Sequence, residues 1–277
     1  MRIPATWRNT RRIAALLAFA ALLPSTPAQA APFEVAIAPS RFEVTGTSAS
    51  RVGQSLTVFN VGSSATEVAI RTLDWSYSSD GNVTYHDELL PGSCRPWVTL
   101  ERKTLRVAPQ ARTSFRFQID IPADTPRGEC RFMLAVEGVE PAYKAQLENG
   151  GANLSLPVSG RIAVTVYLML NGAEPKLEIS QLGVKEIDGK RTPVITVSNK
   201  GDAHGRLEGG LEAVDAKGQK FDLIPESTPI LPGQTRTLPF APRSEPNQKP
   251  VDMTLPLKAN GQLDWEMGSF KVNAEFK

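Results

Sequence analysis

The sequence predicts an all-β protein made of two immunoglobulin-like β-sandwich domains in tandem. Three observations predict it. Helical periodicity is almost absent after residue 31, and short runs alternate apolar and polar residues instead, the period-2 pattern of half-buried strands. Gly, Pro, Asn and Asp break these runs at intervals of roughly eight to twelve residues, the spacing of antiparallel sandwiches. Finally, Val194-Ile195-Thr196-Val197-Ser198-Asn199 resembles Leu56-Thr57-Val58-Phe59-Asn60-Val61: each is an apolar strand that reaches an Asn and a Gly-bearing turn.

Composition sets the bounds. The chain has 277 residues, 41% apolar and 22% charged, with 21 Gly, 22 Pro and 2 Cys. It is too apolar for disorder and too poor in cysteine for a disulfide scaffold. Residues 1–30 have the layout of a secretory signal peptide. A basic stretch (Arg2, Arg8, Arg11, Arg12) precedes the apolar run Ile13–Leu23, and Ala28-Gln29-Ala30 offers a small-x-small cleavage site. That run is far short of the roughly 20 residues needed to cross a bilayer, so no membrane span is expected, and a bacterial-type leader makes the periplasm the destination. Of 31 basic residues, four lie in the leader; the remaining 27 face 29 acidic residues, a net charge of −2. Interspersed charges of that balance create no field for gathering nucleic acid, so no nucleic-acid partner is expected.

The first domain is placed at 31–172. Phe33 to Val44 reads as one strand interrupted at Pro39, where it can switch between sheets, because proline offers no N–H to a ladder. Gln54–Val61 and Glu67–Tyr77 follow as a pair around Gly62-Ser63-Ser64, and Ser79-Asp80-Gly81-Asn82 makes a hairpin turn. Trp97–Leu100, Thr104–Val107, Thr113–Ile121 and Cys130–Val136 continue the series, and Glu140 to Asn153 reads as a flexible loop. Leu156–Leu170 is apolar on both faces: Ile162, Val164, Val166, Leu168 and Leu170 on one, Ala163, Thr165, Tyr167 and Met169 on the other. Such a strand needs cover on both sides, from the second domain or from a partner.

The second domain is placed at 173–277. Its strands are read at Lys176–Lys185, Arg191–Asn199, Arg206–Asp215, Phe221–Ile224, Thr235–Phe240, Val251–Leu257 and Leu263–Phe276, with a turn at Asn260-Gly261 between the last two.

Chemistry-bearing motifs are scarce. There is no Gly-x-Ser-x-Gly elbow, phosphate loop, His-Glu-x-x-His or dinucleotide fingerprint, and neither enzymatic activity nor a cofactor is expected. His86, beside a hairpin, and His204, in Gly201-Asp202-Ala203-His204-Gly205, read as exposed turn residues. Two cysteines and two distant histidines are too few for a metal site. In an oxidising compartment Cys94 and Cys130 are expected to form a disulfide, provided the fold brings their Cα atoms within about 7 Å.

Three stretches taken together resemble the periplasmic chaperones of the chaperone–usher pilus-assembly family. They are Val35-Ala36-Ile37-Ala38-Pro39-Ser40-Arg41-Phe42-Glu43-Val44; Leu56–Asn60 with Val68-Ala69-Ile70-Arg71; and Leu105–Pro109 through Phe115-Arg116-Phe117 to Arg131–Val136 and the strand ending at Leu170. The resemblance covers residues 33–172 with loose motifs. It implies a chaperone that binds pilin-like subunits, with an outer-membrane usher as a further partner. It would lend the strand carrying Ile162, Val164, Val166, Leu168 and Leu170 to a subunit whose sandwich lacks one. The family also anchors its client's terminal carboxylate with an arginine on the first strand and a lysine on the last strand of domain one. Arg41 fits the arginine by position; Ile162–Leu170 holds no basic residue, which leaves Arg161 for the second cation. Without a client, the same sequence describes an exported structural or adhesion protein.

Overall fold

The computed structural model describes residues 33–78, 81–139, 143–149, 152–158, 160–244 and 251–277. The expected leader, residues 79–80 of the expected hairpin turn, and residues 140–142 and 150–151 of the expected loop lie outside these.

The chain folds as two β-sandwiches in tandem. In the first, β1 (Val35–Ala38) pairs with β3 (Arg51–Asn60) in a four-stranded sheet completed by β8 (Arg112–Asp120) and β6 (Val98–Leu100). After Pro39 the chain crosses to the opposing sheet, where β2 (Arg41–Gly46) lies parallel to β12 (Arg161–Leu170). That sheet continues through β9 (Gly128–Gly138) and β4 (Thr66–Tyr77) to β5 (Val83–His86), and β7 (Thr104–Val107) pairs with the start of β4. The sheet switch expected at Pro39 is therefore present. One short 3₁₀ turn, Arg95–Trp97, precedes β6.

Strict alternation fills the space between the two sheets. Leu56 and Val58 of β3 and Phe115, Phe117 and Ile119 of β8 meet Val68 and Ile70 of β4, Phe132, Leu134 and Val136 of β9, and Val164, Val166, Leu168 and Leu170 of β12. Phe117 packs edge-on against both Phe42 and Phe132, at centroid distances of 5.2 and 6.4 Å. Cys94 and Cys130 are joined in a disulfide, with Cα atoms 6.1 Å apart, as expected from the compartment.

Where a loop was expected over 140–153, the backbone forms the hairpin β10 (Tyr143–Asn149) and β11 (Ala152–Val158). Asn149 and Ala152 are the last residues in register, and residues 150–151 lie outside the described ones.

The second sandwich is one seven-stranded sheet that wraps around its own core. Its order is β13 (Leu177–Ile187), β14 (Lys190–Asn199), β17 (Thr235–Pro242), β16 (Lys220–Pro225), β15 (Glu208–Val214), β18 (Leu257–Trp265), β19 (Gly268–Phe276). Two boundaries differ from expectation. Residues 251–256 form no strand, and Asn260-Gly261 is no turn but lies inside β18; the chain reverses instead at Glu266-Met267. Gly261 serves close approach: a Cβ there would stand 2.8 Å from the Gly210 carbonyl oxygen on β15.

The internal resemblance has a physical basis in two buried asparagines. The Asn60 side chain accepts from the Gly62 N–H and donates to the carbonyls of Ser64, Val107 and Ala108. The Asn199 side chain accepts from the Gly201 N–H and donates to those of Ala203 and Ile230. Each ties the end of its strand to neighbouring loop carbonyls from a buried position, where an unsatisfied amide would cost about 1–3 kcal/mol.

Candidate functional site

The outer face of the six-stranded sheet is where the two sandwiches meet. Alternation places Arg41 and Glu43 (β2), Ala163, Thr165 and Tyr167 (β12), Arg131, Met133 and Ala135 (β9), and Leu73, Trp75 and Tyr77 (β4) on that face. Leu73, Trp75, Tyr77, Met133, Ala135 and Tyr167 form a second apolar cluster, capped by Leu231 of the other sandwich. The outward face of β12 thus finds its cover in the second sandwich, one of the two possibilities open from sequence.

Polar contacts fix this junction. The Arg206 guanidinium donates to the Tyr167 hydroxyl at 3.1 Å, and that of Arg236 to the Tyr77 hydroxyl at 2.7 Å. Each arginine also lies over the ring of its tyrosine. Gln234 donates to the Tyr77 carbonyl, and Arg127 pairs with Asp202 at 2.5 Å. Burial pushes the Tyr167 hydroxyl up to about 12, so it stays neutral and available as acceptor.

His204 corrects the sequence reading most sharply. It is no exposed turn residue: it is 2% exposed, stacked on Tyr167 with ring centroids 3.8 Å apart. Its backbone N–H and its Nδ1 both meet Glu129 Oε2, at 2.7 and 2.6 Å. The Glu129 carboxylate is itself fully buried and reaches Arg131 at 3.5 Å. Burial lowers the His204 pKa, but hydrogen bonding to Glu129 and the facing Glu43 outweigh it, and the net shift is upward. Glu43 moves the other way, to about 2, held ionised by His204 first and by Arg41. No local sequence signal marks this contact, since it joins β2 and β9 to a loop far along the chain. His86 is also not free: it ends β5 and contacts Ser76 and Glu88.

Arg41 stands at the open margin of this cluster. Its side chain is 45% exposed, opposite Thr165 in register, with Nε bonded to Glu43 at 2.7 Å. Arg161 shares that sheet face but lies four residues from Thr165 along β12, roughly 13 Å away at strand rise, and it pairs with Glu137 at 2.5 Å. Arg41 and Arg161 are thus held by different carboxylates, Glu43 and Glu137.

The expected donor residues also need correction. Val164, Val166, Leu168 and Leu170 are buried in the chain's own core, and Ile162 packs on it half-buried. From Thr165 to Leu170 both edges of β12 are occupied, by β9 and by β2. Parallel pairing with β2 begins only at Arg41, so among the described residues Arg161–Val164 has β9 as its sole strand neighbour. Among the same residues β11 pairs only with β10. Gly160, between them, lets Phe33 approach: a Cβ there would stand 2.2 Å from the Phe33 ring.

Among the described residues no helix is long and apolar enough to cross a membrane. No family model matches the chain, and no curated protein matches it. Among solved structures the chain is similar to the YadV chaperone (11% identity, TM-score 0.46, 87% of this chain and 99% of that one). It is also similar to the class 5 fimbriae chaperone CfaA (11%, 0.45, 86% and 98%) and to the E. coli chaperone DraB (16%, 0.44, 89% and 98%).

Proposed function

We propose that this protein is an exported, non-enzymatic chaperone that stabilises pilin-like subunits by adding a strand edge to their incomplete sandwiches. One observation carries the reading: among the described residues, Arg161–Val164 of β12 pairs on one edge alone, beside the core of the first sandwich, and so does β11. An unpaired edge next to an apolar core recruits another strand, and a protein that does not use such an edge covers or charges it. Backbone hydrogen bonds would supply affinity, and Ile162, half-buried at the beginning of β12, would meet the groove of the subunit. In this reading the donor segment uses the beginning of the strand that sequence alone suggests, not its whole length. Arg41, half-exposed at the margin of the domain junction, is the carboxylate anchor in this reading. The units are 31–172, which carries edge and anchor, and 173–277, which caps the junction; the periplasm is the place of action.

Co-expression with a pilin-like subunit that lacks its last strand tests the proposal. Wild type should yield a soluble complex from the periplasm. Ile162→Asp and Arg41→Ala should each cut its recovery at least tenfold while leaving the free protein folded. Undiminished recovery in both variants would return the protein to the structural or adhesion reading.

A further inference from the structure

The six-stranded sheet of the first sandwich forks. Strand β4 pairs with β9 from Val68 to Leu73; beyond that, β4 runs on beside β5 and β9 beside β12. The connection that follows β5 closes the fork. The Leu90 N–H and the Ser93 hydroxyl both donate to the Asp74 carboxylate, at 2.9 and 2.8 Å, and the Cys94–Cys130 disulfide ties the end of the same stretch to β9. A cavity of about 250 Å³ remains between the branches, walled in part by Trp75, Leu90, Pro91, Cys130 and Arg131. Strand β12 separates it from β2 and Arg41.

Two donors of this wall are short of acceptors. Trp75 is 6% exposed, and among the described residues its buried Nε1–H has no hydrogen-bond partner. Arg131 lies over the same indole, 5.7 Å from the ring centroid, and meets a carboxylate only at 3.5 Å, on Glu129 Oε1. Glu129 is held by its other oxygen, which takes two short bonds from His204, at 2.7 and 2.6 Å. The second acid of the wall, Asp74, is spent on Leu90 and Ser93 and faces Arg95 at 3.5 Å. Both carboxylates are hidden, with side chains 0% and 4% exposed, whereas that of Arg131 is 30% exposed. The cavity therefore presents an under-paired cation beside an indole N–H that lacks an acceptor, and both favour anionic oxygens. We propose that it binds a small organic carboxylate, whose oxygens meet the Trp75 N–H and the Arg131 guanidinium and whose apolar body lies against Leu90, Pro91 and the disulfide. Its volume is below the roughly 300–1,000 Å³ of sites for drug-sized ligands, which limits the body to a single ring or a short branched chain. The site goes beyond the proposed function and shares no residue with the strand edge or with Arg41.

Benzoate is a suitable probe, and the indole N–H of Trp75 is the reporter. In the wild-type protein benzoate should shift the Trp75 resonance saturably, with a dissociation constant on the order of 1 mM. The resonance of Trp265, on the second sandwich, should stay in place. Benzamide keeps the ring and loses the charge, so it should bind about tenfold more weakly, and chloride at equal ionic strength should leave Trp75 unmoved. Arg131→Gln should weaken benzoate about tenfold, and Trp75→Phe, which keeps the wall and removes the N–H, about fivefold, both read from the resonances of benzoate itself. Arg131→Lys keeps the charge beside Glu129 and loses the planar fork; it should weaken benzoate about threefold and guards against a folding defect in the glutamine variant. The wild-type titration alone decides whether benzoate binds, and the variants decide where. A Trp75 resonance unmoved by benzoate, an equal response to benzamide or chloride, or undiminished affinity in the Trp75 and Arg131 variants would overturn the site.

Discussion

At the scale of single residues, the junction depends on a histidine that is buried and paired with a buried carboxylate. His204 has its pKa raised despite burial, so the sign of its effect is fixed. Its stabilisation is complete below its ordinary value of about 6.5 and is lost as pH rises through the higher folded value. Glu43 behaves oppositely: its contribution is present above about pH 4.5 and fades only as pH falls toward about 2. The thermal midpoint of wild type should therefore exceed that of His204→Gln most at pH 5.5–6.5, and the gap should narrow steadily toward pH 9. A gap independent of pH would show that His204 acts by packing on Tyr167 alone. Arg41 was legible as a candidate because its strand carries a local pattern. His204 was not, because a histidine in a Gly-bounded loop looks the same whether the loop faces water or a second domain.

At the scale of elements, alternation identified most strands, because one face of each is buried and period-2 patterning has no other use there. It failed in two places. A loop was expected over 140–153 where β10 and β11 pair, while Asn260-Gly261 looked like a turn and is a close backbone contact inside β18. Strand β12 was correctly singled out as two-faced. Which of its residues are free, however, depends on where β2 begins to pair, a tertiary fact set by the crossing at Pro39. The disulfide ties β9 to the segment before β6 and closes a loop of 36 residues. Its removal in Cys94→Ala/Cys130→Ala should cost about 2–4 kcal/mol, read from the denaturant midpoint at constant slope. A loss under 1 kcal/mol would mean that sheet pairing alone holds that corner.

At the scale of the whole molecule, the two sandwiches are joined by more than a linker. Tyr167 is at the centre: it packs in the apolar cluster, stacks on His204 and accepts from Arg206. Tyr167→Ala removes all three contacts at once, at a cost of about 3–5 kcal/mol. Calorimetry should show one cooperative transition in wild type and two in the variant; two in both would mean that the sandwiches unfold independently. The junction also holds Glu43, and through it Arg41, next to the second sandwich's His204. Composition and punctuation made the tandem sandwiches legible; the junction between them was not, since it is built from side chains whose partners lie on separate sandwiches.

The most direct measurement is hydrogen exchange along Ala152–Val164, in the free protein and in complex with an incomplete pilin-like subunit. Outward-pointing amides of this margin should exchange freely in the isolated protein and gain at least 100-fold protection in the complex, while those of Thr165–Leu170 stay protected in both. A stable complex that leaves the margin as open as before would contradict strand addition at this edge.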